Sequence, residues 1–503
     1  FIKKNYLGSI RVTYSGLIGL IISLIGVVTG TIFVIIVTRQ LSPEDFGLWA
    51  LVGSIVSYVI IINPIVTYWS TRQIARGEEI GKTAVSTSGL FSIGGMIIYL
   101  GIAIFLATTT DADLFVLVLA SILIPTTFLS NVLISICTGF RPQAVSYGFL
   151  AFEASKIPLG FLLVAFLELG IIGAILTIIF SSISRIIILA FTARGKIIGT
   201  IKKSVIKFWL KLSWLTLYLD GAGLIYKLDV LIFSVLTNSF LGLAYWGVAQ
   251  TASKFVGHSS QLSTALYPKL LSGGKVEIAE QNLIRSLYFA IPLVAFSIVF
   301  AKPALHILNP VYTEGILIVV FISLRTFSAQ IKTIFFNILS AYETVDIDKH
   351  ATFRQYIKSK LFFLPTLEYI LSITYVVILT VFLLFFNDQN SSEIFIVTIW
   401  SGIAFVVSVP FAIYGIIAVK KQYNFHFNYP PILKYVGATV ITSILVTVVS
   451  EQFLTYPESI FDFLPEIIPL LTLALVLYFG MTYVIDNSTR KLFKSIIKEI
   501  IKR

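Results

Sequence analysis

Ten ionisable side chains sit inside stretches otherwise built of Ile, Leu, Val and Phe. Six are basic (Lys156, Arg185, Lys227, Lys254, Arg325 and Lys332) and four are acidic (Glu153, Asp220, Asp229 and Glu368). A charge at the centre of a lone membrane helix costs about 2.5–3.5 kcal/mol on insertion scales, so such groups face water, one another or a ligand. Spacing sorts them. Gln250, Lys254, His258 and Gln261 recur at helical intervals and form one polar stripe. Arg325 and Lys332 are seven apart, as are Asp220 and Lys227, so each pair shares a helix face. Asp229 is turned by roughly 200° from Lys227, which rules out a pair between them and sends Asp229 to another helix for its partner. Glu153 and Lys156, three apart, can pair locally. Arg185 and Glu368 lie nearer the ends of their segments, where long side chains reach the surface. Guanidinium and ammonium groups in this number suit phosphate oxygens. Asp220 or Asp229 could carry a coupling cation, and His258 a proton, since imidazole titrates near physiological pH. Gly221 and Gly223 beside Asp220 make that helix a candidate gate.

The elements that position these groups follow from composition. The chain has 503 residues, 57% hydrophobic and 12% charged, where soluble domains are nearer 25% charged. Apolar runs of about 20 residues read as membrane spans. Fourteen are expected: 12–38, 46–68, 83–108, 112–137, 143–167, 170–193, 208–236, 240–267, 284–306, 314–340, 361–386, 393–419, 431–453 and 465–485. The fold class is an all-α polytopic membrane protein. Of the 37 Lys and Arg, 29 fall in the loops and tails on one side, two (Arg39 and Lys302) on the other, and six within spans. That asymmetry predicts a multi-pass cell-membrane protein with both termini cytoplasmic. It also accounts for the net charge of +12 without nucleic acid, with anionic lipids as partners of the inner basic loops. FIKKNYLGSIR reads as an amphipathic cytoplasmic segment. ARGKIIGTIKKSVIKFWLKLS and AYETVDIDKHATFRQYIKSK read as interfacial helices. A single cysteine, Cys137, excludes an intrachain disulfide and a zinc cluster, and no cofactor is expected.

An internal similarity supports two repeats. LSPEDFGLWALVGSIVSY and LTNSFLGLAYWGVAQTASK each join a polar turn to a Gly-Leu pair, an aromatic and small residues, with Gly47 and Gly242 at matching places. Their equal orientation implies parallel repeats, spans 1–6 and 7–12.

Beyond this, LSPEDFGLWAL (41–51), KLDVLIFSVLTNSFLGLAYWGVAQ (227–250), ALYPKLLSGG (265–274), ILNPVYTEG (307–315) and ASKIPLGFLLVAFLELGIIGA (154–174) resemble, in order and spacing, the oligosaccharide and polysaccharide flippases of the multidrug/oligosaccharidyl-lipid/polysaccharide exporter superfamily. Asn309-Pro310 departs from that family's usual Gly. The resemblance implies two six-helix lobes around a central cavity plus two C-terminal helices. It divides the chain into a cytoplasmic start (1–11), an N-lobe (12–193), a basic linker (194–207), a C-lobe (208–419), spans 13 and 14 (420–485) and a basic tail (486–503). It implies export of a polyprenyl- or dolichyl-(pyro)phosphate-linked oligosaccharide by alternating access, with enzymes of glycan assembly as further partners. On that reading Lys254, Arg325, Lys332 and Lys227 hold the headgroup, while Gln250, Gln261 and Asn337 meet sugar hydroxyls. Two alternatives stand beside it: a cation-coupled multidrug exporter of the same superfamily, usually of twelve spans, and a membrane glycosyltransferase, ligase or polymerase. The third needs carboxylates on a sizeable outer loop, and only Asp111 and Asp113 in the tiny TTTDAD loop offer them. No GxxxxGK[ST] sequence supplies an ATP motor, so the chain is not read as an enzyme.

Overall fold

The structure is a computed structural model that describes residues 26, 28–141, 143–257, 270, 275–343, 345, 353–386, 392–423 and 425–490. The basic N-terminal segment, the first part of span one, His258, Gln261, most of ALYPKLLSGG and the end of the C-terminal tail lie outside the described residues. The regular structure of the described residues is entirely helical. Among the described residues eleven helical stretches are long and apolar enough to cross a membrane, and Val28–Gln40 is a shorter apolar helix. The chain is an all-α polytopic membrane protein.

Two compact units divide the chain, Phe1–Ala244 and Tyr245–Arg503. The first contains α1 (Val28–Gln40), α2 (Pro43–Val59), α3 (Pro64–Ala75), α4 (Gly81–Thr109), α5 (Leu114–Ala120), α6 (Leu123–Phe140), α7 (Gln143–Gly160), α8 (Gly170–Ile197), α9 (Lys203–Lys211) and α10 (Ser213–Thr237). Residues α11 (Phe240–Ser253) straddle the division. The second unit continues with α12 (Val276–Val299), α13 (Ala301–Leu308), α14 (Ile316–Ala341), α15 (Phe353–Lys358), α16 (Lys360–Phe386), α17 (Glu393–Tyr423), α18 (Tyr429–Phe453) and α19 (Ile460–Ile485). The helix α10 packs on α2, α3 and α9, so the first unit runs past the basic linker, where the sequence suggests a lobe boundary, and ends at Ala244.

Proline sets the breaks within the first unit. Pro64 has no N–H to give the Ile60 carbonyl, so the chain tightens there into a short 3₁₀ segment, Ile60–Ile62, and Asn63 N–H takes that carbonyl at 2.8 Å. The run read as one span over 46–68 is therefore α2, a tight turn and α3. Pro125 acts alike between α5 and α6, where Ile124 N–H bonds to the Ser121 carbonyl. After Pro158, α7 passes into a π turn, Phe161–Phe166, before the hairpin to α8. The basic segment after α8 forms the amphipathic α9. Its Trp209 is fully buried and donates its indole N–H to Gln73 Oε1 at 2.9 Å, while Lys203, Lys207 and Lys211 are exposed.

The two acidic residues of TTTDAD have structural partners. Asp113 caps α5 by accepting from Phe115 N–H at 2.8 Å. Asp111 and Asn238 bond reciprocally, and Asn238 ends α10 in the left-handed region (φ 50°). Gly47 marks a close approach: a Cβ there would lie 1.8 Å from the Phe240 carbonyl oxygen. Gly47→Ala is expected to lower stability by about 1–3 kcal/mol, seen as a reduced thermal midpoint of the detergent-purified protein.

In the second unit α12, α18 and α19 meet around Tyr288, Tyr435, Phe463 and Tyr478. Asp486, just beyond α19, closes this cluster at one end. Burial pushes its carboxyl up, but the N–H and hydroxyl of Thr489, the Tyr435 hydroxyl and the Lys434 ammonium outweigh that and hold it below the usual carboxylate range. A depressed carboxylate stabilises the fold above its unfolded value of about 3.9 and loses that contribution as pH falls through the folded value. Asp486→Asn is therefore expected to cost about 1–3 kcal/mol at pH 7. The gap in thermal midpoint from the wild type should close below about pH 4.

Candidate functional site

The first unit contains an open cleft of about 760 Å³ walled by α2, the 3₁₀ turn, α3, α6 and α10. Two neutral polar stripes form much of the wall. Asn63, Thr67 and Thr71 follow one another at intervals of four on α3 and its start. Asn131, Ser135 and Thr138, four and three apart, form a second stripe along α6. α10 adds Asp220 and Lys227, both exposed, with Gly223 between them. Seven residues separate the acid from the base, about 10.5 Å along the helix axis, so they do not neutralise each other and polarise the cleft from end to end. The Tyr68 ring also faces the cleft and carries the Arg72 guanidinium 4.5 Å from its centre.

α10 is held on α2 from its other side. The Tyr58 hydroxyl donates to the Lys227 carbonyl, and Asp229, on the buried side of α10, accepts from Val230 N–H at 2.8 Å. The sequence points Asp229 toward span eight or ten. Within the first unit, α10 packs on α2. A further buried cluster ties α1, α7 and α8. Glu153 and Lys156 meet at 2.5 Å, and Thr29 donates to Glu153 at 2.5 Å. Arg185 stacks 4.0 Å from the centre of the Phe152 ring. These three ionisable groups hold helices together within the unit, and none of them lines the cleft.

In the second unit, Gln250 and Lys254 are exposed at the end of α11, and Trp246, one turn before Gln250, is buried and stacks on Trp400 at 3.9 Å. Arg325 is half-buried on α14. Gln330 on the same helix is buried and donates to the Val256 carbonyl at 2.6 Å. Lys332, which the sequence assigns to a headgroup, bonds Glu368 of α16 at 2.5 Å. Glu368 is thus one half of an ion pair rather than a lone group reaching for the surface. The pairing joins residues 36 apart on two helices, which helical spacing cannot reveal. Asn337 is half-buried on α14. Among the described residues there is no group of three or more His, Cys, Asp or Glu able to hold a metal, and Cys137 is buried and free.

The sequence marks Asp220, Gly223 and Lys227, while Asn63, Thr67, Thr71 and the α6 stripe carry no charge to mark them. The signal was present. Intervals of three and four mark these residues just as they mark Gln250 and Lys254, but neutral side chains carry a smaller insertion cost and so a weaker hydropathy signal.

No protein-family profile matches the sequence, and no curated protein does. Solved structures do share its fold. A multidrug resistance MATE-family transporter of the MOP superfamily, in an inward-facing conformation, is 14% identical over 79% of this chain and 96% of that one, with a TM-score of 0.55. The lipid II flippase MurJ, in an inward closed conformation, is 13% identical over 95% of this chain and 99% of that one, with a TM-score of 0.66. The chain has the fold of these transporters.

The Lys332–Glu368 pair yields a direct test. Removing one partner of a largely buried pair leaves the other uncompensated, whereas removing both does not. Lys332→Met and Glu368→Gln are each expected to lower the thermal midpoint, and the double variant to recover most of the loss. A coupling energy of about 1–3 kcal/mol from the cycle is expected.

Proposed function

We propose that this protein is a flippase that moves lipid-linked oligosaccharide from the inner to the outer leaflet of the plasma membrane by alternating access. The observation that carries the reading is the extent of the fold likeness. The alignment with the lipid II flippase takes in nearly the whole of both chains, while that with the MATE transporter leaves about a fifth of this chain outside. The pair α18 and α19, sealed to α12 by the tyrosine cluster, suits the fourteen-span plan better than a twelve-span exporter. In this reading Lys227, Lys254 and Arg325 carry the phosphate or pyrophosphate of the substrate, and Lys332 acts through its pair with Glu368. Both termini are cytoplasmic. The exposed lysines of α9 rest on anionic lipid, and enzymes of glycan assembly supply the cargo. The division into two six-helix lobes plus a C-terminal pair belongs to the same proposal.

A second reading, a cation-coupled multidrug exporter, draws on the MATE-type fold and on the exposed Asp220 carboxylate in the cleft. One assay separates the two. Purified protein in liposomes is expected to move a fluorescent lipid-linked oligosaccharide to the outer leaflet, read by quenching with an impermeant reagent. Lys254→Glu and Arg325→Glu are each expected to slow this at least tenfold at normal expression. Efflux of an organic cation without movement of the lipid-linked sugar would support the exporter, and unchanged flipping in both variants would remove the phosphate role.

A further inference from the structure

The hydroxyls of the cleft in the first unit have already used their protons. Ser57 donates to the Ser54 carbonyl at 3.0 Å, Thr67 to Asn63 at 3.3 Å and Thr71 to Thr67 at 3.0 Å. On α6, Ser135 donates to Val132 and Thr138 to Ile134, each at 2.8 Å. Each O–H bonds a carbonyl of its own helix, as is usual for Ser and Thr inside helices, while Thr71 also reaches the Ser135 carbonyl at 3.1 Å and Ser135 Oγ lies 2.7 Å from Ser70 Oγ. What each oxygen still offers is lone pairs.

Asn63 points the same way. The residue is 3% exposed and lines the cleft, and its Oδ1 has no hydrogen-bond partner among the described residues. A buried acceptor left unpaired costs about 1–3 kcal/mol, so this atom is built to receive a donor from something that enters. Pro64 and the 3₁₀ turn are what place it there. Asp220 adds a carboxylate, also an acceptor. Against this stand fewer donors: the amide nitrogens of Asn63 and Asn131, each of which also carries an acceptor oxygen, the Tyr68 hydroxyl and, at the far end, Lys227.

A wall rich in acceptors and poor in donors repels phosphate oxygens and complements a ligand rich in O–H and N–H. Two chemistries meet that description, a polyhydroxylated sugar and an organic ammonium. The charges favour the sugar. Asp220 and Lys227, two turns apart, leave the cleft lining without net charge, and Tyr68, whose ring could sit under a cation, is already stacked by Arg72 at 4.5 Å.

We infer that the cleft between α3, α6 and α10 is the subsite for the carbohydrate portion of the cargo. Sugar hydroxyl and acetamido N–H groups donate to Asn63 Oδ1, to the back-bonded Ser and Thr oxygens and to Asp220, and the phosphate-bearing end lies toward Lys227. The inference rests on the flippase reading and adds a location and polarity to it. Sugar recognition is thereby separated from phosphate recognition by the length of two turns of α10.

The test uses the full chain in lipid nanodiscs. The probe is the pool of free oligosaccharides released by mild acid from the lipid-linked fraction of the source membrane, so that no lipid or phosphate remains. Binding is followed by saturation-transfer NMR and calorimetry. Wild type is expected to bind the free glycan. Asn63→Leu and the double variant Thr67→Val/Asn131→Leu are each expected to weaken binding at least tenfold, about 1.4 kcal/mol. Asn63→Asp, which keeps the acceptor, should retain it. Lys227→Gln should weaken the phosphorylated glycan more than the free one. Asn63→Leu alone could lose binding through misfolding, so the double variant and a thermal midpoint are measured beside it. Equal binding by wild type and both acceptor-deleted variants would overturn the subsite, as would no binding of free glycan by a protein that still flips the lipid-linked form. Displacement by tetraphenylphosphonium together with loss in Asp220→Asn would assign the cleft to cations. Failure of the flipping assay itself would instead strike the functional reading.

Discussion

A polar group inside a bilayer must meet a partner or water, and each helix of this protein is placed under that constraint. Hydrocarbon offers no hydrogen bond, so the energetic penalty of an orphaned charge exceeds what packing of one side chain returns. Glu153 and Lys156 meet the constraint by pairing and by the Thr29 hydroxyl. Lys332 and Glu368 meet it across two helices. The Arg185 guanidinium sits over the Phe152 ring. Asp220 and Lys227 are different, because they open into a cleft and stay apart. Charges that are tied off internally build the scaffold, and the groups left open are those available to cargo.

Backbone chemistry reinforces this division. Pro64 cannot complete the helix, and the resulting 3₁₀ turn brings Asn63 to the cleft wall. The Ser and Thr residues beside it satisfy their own protons on helix carbonyls. A surface results that is stable in the empty protein yet presents acceptors to a ligand. Much of the same logic governs the loop between α4 and α5, where Asp111 and Asp113 serve Asn238 and α5. A catalytic carboxylate pair is thereby excluded for this loop, since each acid has a local structural task.

How much of this was legible in the sequence follows from what each signal measures. Apolar length is a strong signal, and the expected spans 170–193, 361–386 and 431–453 match α8, α16 and α18 within a few residues. Breaks inside an apolar run are weaker signals. The span expected over 46–68 divides at Asn63 and continues to Ala75, and that over 112–137 divides near Ser121. Proline was visible at both places, but its effect depends on which carbonyl it leaves without a donor. Pairing across helices was not legible at all: Lys332 and Glu368 each looked like single buried charges. Asn63, Thr67 and Asn131 were overlooked because hydropathy weighs a neutral polar residue lightly, although their spacing on α3 and α6 is regular.

The polar groups of the cleft in the first unit face water rather than acyl chains. This is tested most directly by cysteine accessibility in native membranes, starting from a Cys137→Ser chain and placing single cysteines at Thr67, Asn131, Leu90 and Ile97. Leu90 and Ile97 are 67% and 66% exposed on the apolar α4 and serve as lipid-facing references. A charged, membrane-impermeant thiol reagent is expected to modify the Thr67 and Asn131 positions, in inverted or right-side-out vesicles, at rates near that of an α9 surface cysteine at Ser204. Leu90 and Ile97 should stay unmodified. If Thr67 and Asn131 resist the reagent as the α4 positions do, in both vesicle orientations, the cleft is dry and the account fails.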